Sequence, residues 1–278
     1  MRQPNPRNPQ DCYLAEPGEV LAHLNSQGIE YALVMSSGTT DPDTGNEACC
    51  RMAAHYPKRL GWMANLDDTT PPKQVHALLS ACKTMGAVGV GELMINQWMD
   101  SPLLCAVFEA AQDLELPVTI HMSPEPGYNY GVCDRPGLPL LEQTLRSYPR
   151  LKLLGHSQMF WLEISGDCPQ QGNDARNAMG QGPVVPGGRV PALFAKFPNL
   201  YGDLSAGSAS CAIMRDESFG LAFLEKYQDR LLFGTDTLNK HQVFPMGAFL
   251  DRAVSTGKLS QTAWEKICRG NAQRLFHL

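Results

Sequence analysis

The sequence predicts an α/β protein, a (β/α)8 barrel of the TIM type, and three observations predict it. Short, nearly continuous apolar runs, the mark of strands covered on both faces, begin at residues 29, 59, 88, 117, 151, 200 and 231. Most steps between them are about 30 residues, the size of one strand plus its crossover helix, and only the step from 151 to 200 is much longer. Three of the runs end in residues that carry chemistry, His121, His156 and Asp236.

The strand-like runs are IEYALVM (29–35), RLGWMANL (59–66), VGVGEL (88–93), PVTIHM (117–122), LKLLGH (151–156), LYGDLS (200–205) and LLFGTD (231–236). Helical patterns fill the intervals. Thr70-Pro71 and Ser101-Pro102 have the form of an N-cap followed by Pro at the first helical position. Apolar residues at 103, 104, 107, 108, 111 and 114 make the stripe of a helix lying on a sheet. Gly28, Pro57, Gly86, Pro149 and Pro198 stop the helices that precede strands. The long step holds an insertion over 157–187, rich in Gly, Pro and polar residues, and a strand leads into it. In a barrel such an insertion lies on the catalytic face as a lid or binding loop, and Phe160 and Trp161 are its expected contacts with substrate.

An eight-stranded barrel needs one more strand than the seven visible. One unit upstream of residue 29 falls at or before residue 1, where Pro4, Pro6 and Pro9 each remove a ladder donor. Residues 1–14 therefore read as an irregular segment ahead of a first helix at 17–27, and strand one is expected to be missing or truncated.

With 278 residues the chain suits one large domain spanning 1–278. Its formal net charge of −5, without a basic cluster, argues against nucleic acid or an anionic membrane as partner. No apolar run approaches the roughly 20 residues of a membrane span, and the opening MRQPNPRNPQ lacks the apolar core of a signal peptide. Nine cysteines without a C-x-x-C pair read as free thiols. The expected setting is the cytoplasm.

His121 alone reads more readily as a core histidine than as a ligand. Its place at the C-terminal end of a barrel strand, where such enzymes build their sites, favours chemistry, and His156 repeats the pattern one strand on. Asp236 is either an N-cap or a carboxylate that ligates a metal and takes a proton from metal-bound water. Glu92, in VGVGEL, divides evenly between a ligand, base or substrate contact and a solvated carboxylate. Asp203 lies inside its run and reads as structural, whereas His241 follows Asp236 in a loop and is a candidate substrate contact. His23, His55, His76 and His277 read as surface or packing residues.

IEYALVMSSG, GAVGVGELM, LPVTIHMS, LKLLGHSQMFW, PNLYGDLSAGS, RLLFGTD and CRGNAQRLF together resemble the amidohydrolase superfamily, and most closely its amidohydrolase-2 branch of metal-dependent hydrolases and decarboxylases. The resemblance implies that His121 and Asp236 bind a divalent metal, expected to be zinc. It also implies that His156 ligates or acts as acid or base, that Asp236 orients or deprotonates the attacking water, and that Glu92 matches a Gly-Glu at a strand end in relatives. One departure stands out, since no His-x-His pair of the kind carried on the family's first strand occurs in the chain. Either the sequence begins at a downstream Met or the truncation is natural.

Three functions follow from the resemblance. The first expectation is a metal-dependent hydrolase that activates water against a small-molecule substrate, with His156 and Asp236 catalytic. The alternative is a metal-dependent non-oxidative decarboxylase of an aromatic or unsaturated carboxylic acid, for which Arg135, Arg176, Arg189 and Arg215 are candidate carboxylate holders. The third is an inactive, N-terminally truncated remnant. A homodimer is expected by analogy with other barrel enzymes.

Overall fold

The computed structural model describes residues 17–39, 41–238 and 242–278. The irregular segment expected at 1–14, the region where a first strand is expected, and His241 lie outside the described residues. All seven expected strands are present: β1 (Ala32–Met35), β2 (Leu60–Met63), β3 (Val90–Leu93), β4 (Val118–Ser123), β6 (Leu153–His156), β7 (Leu200–Asp203) and β8 (Leu231–Leu232). A two-residue strand, β5 (Val132–Cys133), was not expected; it pairs with the end of β4 and forms a bridge to Trp98.

Every pairing is parallel. β1 pairs with β2, a bridge from Ala64 to Val90 links the end of β2 to β3, and the order then runs β3-β4-β6-β7-β8. Sequential strands are thus spatial neighbours, as in a barrel wall. Among the described residues β1 and β8 stand at the two ends of this wall and do not pair, so these residues do not close the ring.

Most strands are shorter than the apolar runs, for a hydrogen-bonding reason. The Ile29 N–H still donates to the Leu24 carbonyl and Gly28 to Asn25, so β1 begins only at Ala32. Leu151 donates back to Tyr148 in the same way ahead of β6. β8 is cut to two residues because the Phe233 N–H turns to the Ile267 carbonyl, in the π-helical turn Lys266–Gly270. The donors of Gly28, Ile29 and Leu151 satisfy carbonyls at helix ends that would otherwise be orphaned.

Helices occupy the crossovers. In Pro102–Asp113 the Ser101 side chain accepts from Leu104, and Leu103, Leu104, Val107, Phe108, Ala110 and Ala111 are buried. Each fully buried Leu, Val or Phe contributes about 1.5–3 kcal/mol, so this face fixes the helix in the core more firmly than its cap does. The cap expected at Thr70 does not form; Pro71 takes the cap position of a short 3-10 turn, Pro72–Gln74. The insertion after β6 is structured rather than open. It carries helices Gln158–Leu162 and Asn173–Arg176, and its base is closed by Gly166 N–H to Val185 O (2.8 Å) and Val185 N–H to Ser165 Oγ (2.8 Å).

Among the described residues no helix is long and apolar enough to cross a membrane. No disulfide joins any of the eight described cysteines.

Candidate active site

β4 and β6 run parallel with His121 opposite His156, so the two imidazoles leave the sheet at one level, their ring centroids 5.5 Å apart. Glu92 lies on β3, one residue before the Leu93 that pairs with Ile120 of β4. Asp203 ends β7, and Asp236 stands four residues beyond β8. Acid and base groups thus gather at the C-terminal ends of successive strands, the rim where barrel enzymes carry their chemistry.

The contacts are close. His121 Nδ1 donates to Glu92 Oε1 at 2.6 Å. His156 Nε2 is 3.5 Å from Glu92 Oε1 and 3.9 Å from Asp236 Oδ2. On its other side, His156 Nδ1 is 3.1 Å from Ser205 Oγ and 3.6 Å from Asp203 Oδ2. His121 and His156 are buried, and Tyr130, half-exposed, sets its ring 4.4 Å from that of His121. Two glycines permit this packing. A Cβ on Gly131, whose φ is +117°, would meet His121 Cδ2 at 2.9 Å, and one on Gly155 would collide with the Phe160 ring.

Burial works against the charge on Glu92, but the hydrogen bond from His121 and the nearby imidazoles hold its carboxyl below the ordinary value. Burial also opposes charge on His156, yet Asp203, Glu92 and Asp236 together raise its pKa. Burial pushes Asp203 up against the pull of His156 and Ser205. Burial likewise pushes Asp236 up to about 7, His156 opposing while Glu92 and Asp203 add to the rise. Burial first, then Glu92 and Asp236, raise the Tyr130 phenol.

Three carboxyl groups and two imidazoles, all oxygen or nitrogen donors, crowd this rim, and such a set suits a divalent cation. The donors fit one: ligand atoms of Glu92, His121 and His156 all lie within 4.8 Å of one another. Imidazole nitrogen with carboxylate oxygen suits zinc and equally manganese.

The amidohydrolase family model (its second branch) matches residues 4–278. The chain belongs to the amidohydrolase family. No curated protein matches this amidohydrolase in sequence. Its fold is that of solved TIM-barrel proteins. An uncharacterised TIM-barrel protein from Bordetella bronchiseptica superposes with a TM-score of 0.65 at 17% identity, covering 93% of this chain and 81% of that one. A 5-carboxyvanillate decarboxylase from Novosphingobium aromaticivorans, complexed with manganese and a nitrobenzoic acid, gives 0.63 at 17% identity, covering 100% and 85%. A 2,6-dihydroxybenzoate decarboxylase from Rhizobium gives 0.60 at 19%, covering 93% and 87%.

The amidohydrolase site differs in detail from the sequence reading. Glu92 stands with His121 and His156 in the converging set of donors, and Asp236 lies 3.9 Å from His156 at its side. Asp203, read as structural, faces His156. Phe160 and Trp161 are wholly buried instead of covering the mouth: Phe160 packs under Gly155, and Trp161 Nε1 donates to the Asp203 carbonyl at 3.0 Å while its ring lies against Gly202. Ser205 and Tyr130 were not anticipated. A Ser two residues past an Asp at a strand end was a usable signal for the first, whereas nothing in the loop sequence marked Tyr130. Of the arginines, Arg176 is spent on the carbonyls of Pro124 and Asp134, Arg189 on Glu142, and Arg135 lies over the Trp98 ring.

Proposed function

We propose that this amidohydrolase is a metal-dependent non-oxidative decarboxylase acting on an aromatic or unsaturated carboxylic acid. The observation that carries the reading is the convergence of Glu92, His121 and His156, with Asp236 beside them. These three residues would hold a divalent ion, manganese or zinc, which when bound supplies a Lewis acid to orient and polarise the substrate's oxygens. Two of the structural neighbours are decarboxylases of aromatic acids, which supports this chemistry over hydrolysis.

The protein's own groups have distinct tasks. Asp236, 3.9 Å from His156 Nε2 beside the converging set, is placed to deliver a proton to the carbon that bears the carboxylate. The carbon–carbon bond then breaks, its electron pair returns to the conjugated system, and CO2 leaves. Asp236 recovers a proton from water. Asp203 and Ser205 orient His156, and Glu92 fixes the tautomer of His121 by accepting a hydrogen bond from its Nδ1–H.

Hydrolysis, the first expectation, uses the same residues with Asp236 as an ionised base. The test is an assay of the manganese- and zinc-loaded protein against hydroxylated benzoates. Release of CO2 without incorporation of solvent oxygen supports the lyase; incorporation of solvent oxygen into the product without CO2 sinks it.

A further inference from the structure

A small pocket, partly open to solvent, lies between the helices Gln158–Leu162 and Ala206–Met214. Gln158, Trp161, Met179, Ser208 and Arg215 are among the residues that line it. Its polar groups are incompletely used. Arg215 spends Nη1 on the Gln181 carbonyl at 2.8 Å, but its buried Nε and Nη2 have no hydrogen-bond partner. Ser208, 4% exposed, also has a buried Oγ without a partner. The acid adjacent in sequence, Asp216, does not answer them, since its two oxygens accept from Val184 N–H and Phe219 N–H, both at 3.1 Å.

Buried donors left unpaired are costly, and each calls for an explanation. Here the free groups form one chemical set. Nε and Nη2 are a single edge of the guanidinium fork, whose spacing matches two oxygens of a carboxylate or phosphate. A hydroxyl stands in the same cavity, and no carboxylate does. The guanidinium is also held in place: a Cβ on Gly180 would meet its Cζ at 2.7 Å, so the chain lies flat on it. We propose that this cavity is a binding site for a small oxyanion, gripped by Arg215 and Ser208. The site does not depend on the decarboxylase reading, because none of its groups belongs to the Glu92–His121–His156 set. Its occupant is either a free inorganic anion or a carboxylate carried by a larger substrate.

Calorimetric titration of the full-length protein, with and without manganese, tests the site. The probes are inorganic phosphate, benzoate and benzene-1,3-dicarboxylate. Saturable one-to-one binding is expected with and without metal, weakened about tenfold or more in Arg215→Met and less in Ser208→Ala. Arg215→Lys, which keeps the charge but loses the fork, should weaken binding as well. Tightest binding of phosphate identifies a free anion; a dicarboxylate preference over benzoate that Arg215→Met abolishes identifies a substrate carboxylate. Manganese binding by Arg215→Met should be unchanged, which separates this site from the metal centre. Binding of no probe, or affinities that Arg215→Met, Arg215→Lys and Ser208→Ala leave untouched, overturns the proposal.

Discussion

His121 and His156 are Cα partners in the parallel register of β4 and β6, and their rings tilt toward one another at 57°. A slip of one residue between these strands would turn one imidazole to the other face of the sheet. The register is held by buried residues on both strands, Val118 and Ile120 against Leu153 and Gly155. The geometry of the site therefore follows from the packing of the core.

Glu92, His121 and His156 should bind one divalent ion per chain. Adding manganese or zinc is expected to raise the unfolding temperature, since a ligand at a hundred times its dissociation constant stabilises by about 2.7 kcal/mol. Glu92→Gln and His121→Ala should each weaken binding by about 10–100-fold or more. Metal content after gel filtration, with thermal unfolding, checks both. Wild-type protein that gains neither metal nor stability would leave the site without its cation.

Asp236→Asn should keep the fold and most of the metal affinity while lowering turnover by about 10²–10⁴-fold, the usual worth of a positioned general acid or base. The amide matches the carboxyl in size but has no acidic proton to give. A loss seen in KM alone would show that Asp236 binds substrate and does not donate.

Gly155→Ala tests how the core supports the site. The new methyl would collide with the Phe160 ring, directly before His156. Overpacking of this kind costs about 1–3 kcal/mol. Urea unfolding should report that loss, and activity should fall further than stability because His156 moves with its strand. A fully stable and active variant would show that Phe160 yields freely.

Much of this was legible in the sequence, and the limits have physical causes. Strands buried on both faces write themselves as apolar runs, so all seven were visible in VGVGEL, PVTIHM and their counterparts. Their starts were not, because the N–H groups of Ile29 and Leu151 are claimed by helix ends, a matter of backbone bonding that side-chain pattern does not encode. His121 and His156 stood out because histidine is unusual at the end of an apolar run. Asp203 did not, since its role arises from a neighbouring strand brought to 3.6 Å. Phe160 and Trp161 misled for the converse reason: aromatic residues in a Gly-rich insertion look like a lid until a buried glycine beneath them is seen to need a ring.

Away from the site, Glu142 should make stability depend on pH. Its carboxylate receives Lys196, Arg189 and Arg146, and so ties Pro139–Ser147 to Arg189–Lys196. The hydrogen bond from Lys196, then Arg189, lowers its pKa from 4.5 to about 2 despite some burial. Because the folded value lies below the unfolded one, the unfolded chain takes up the proton first as pH falls. The contribution is complete above 4.5 and is lost as the pH drops from there through about 2. Exposure of the cations screens it, so it should amount to about 1 kcal/mol or less. Urea unfolding of wild type and Glu142→Gln between neutral pH and pH 3 measures it. The wild type should be the more stable near neutrality and the gap should narrow below pH 4.5. A gap that is constant with pH would mean that the three cations hold the helices by packing alone.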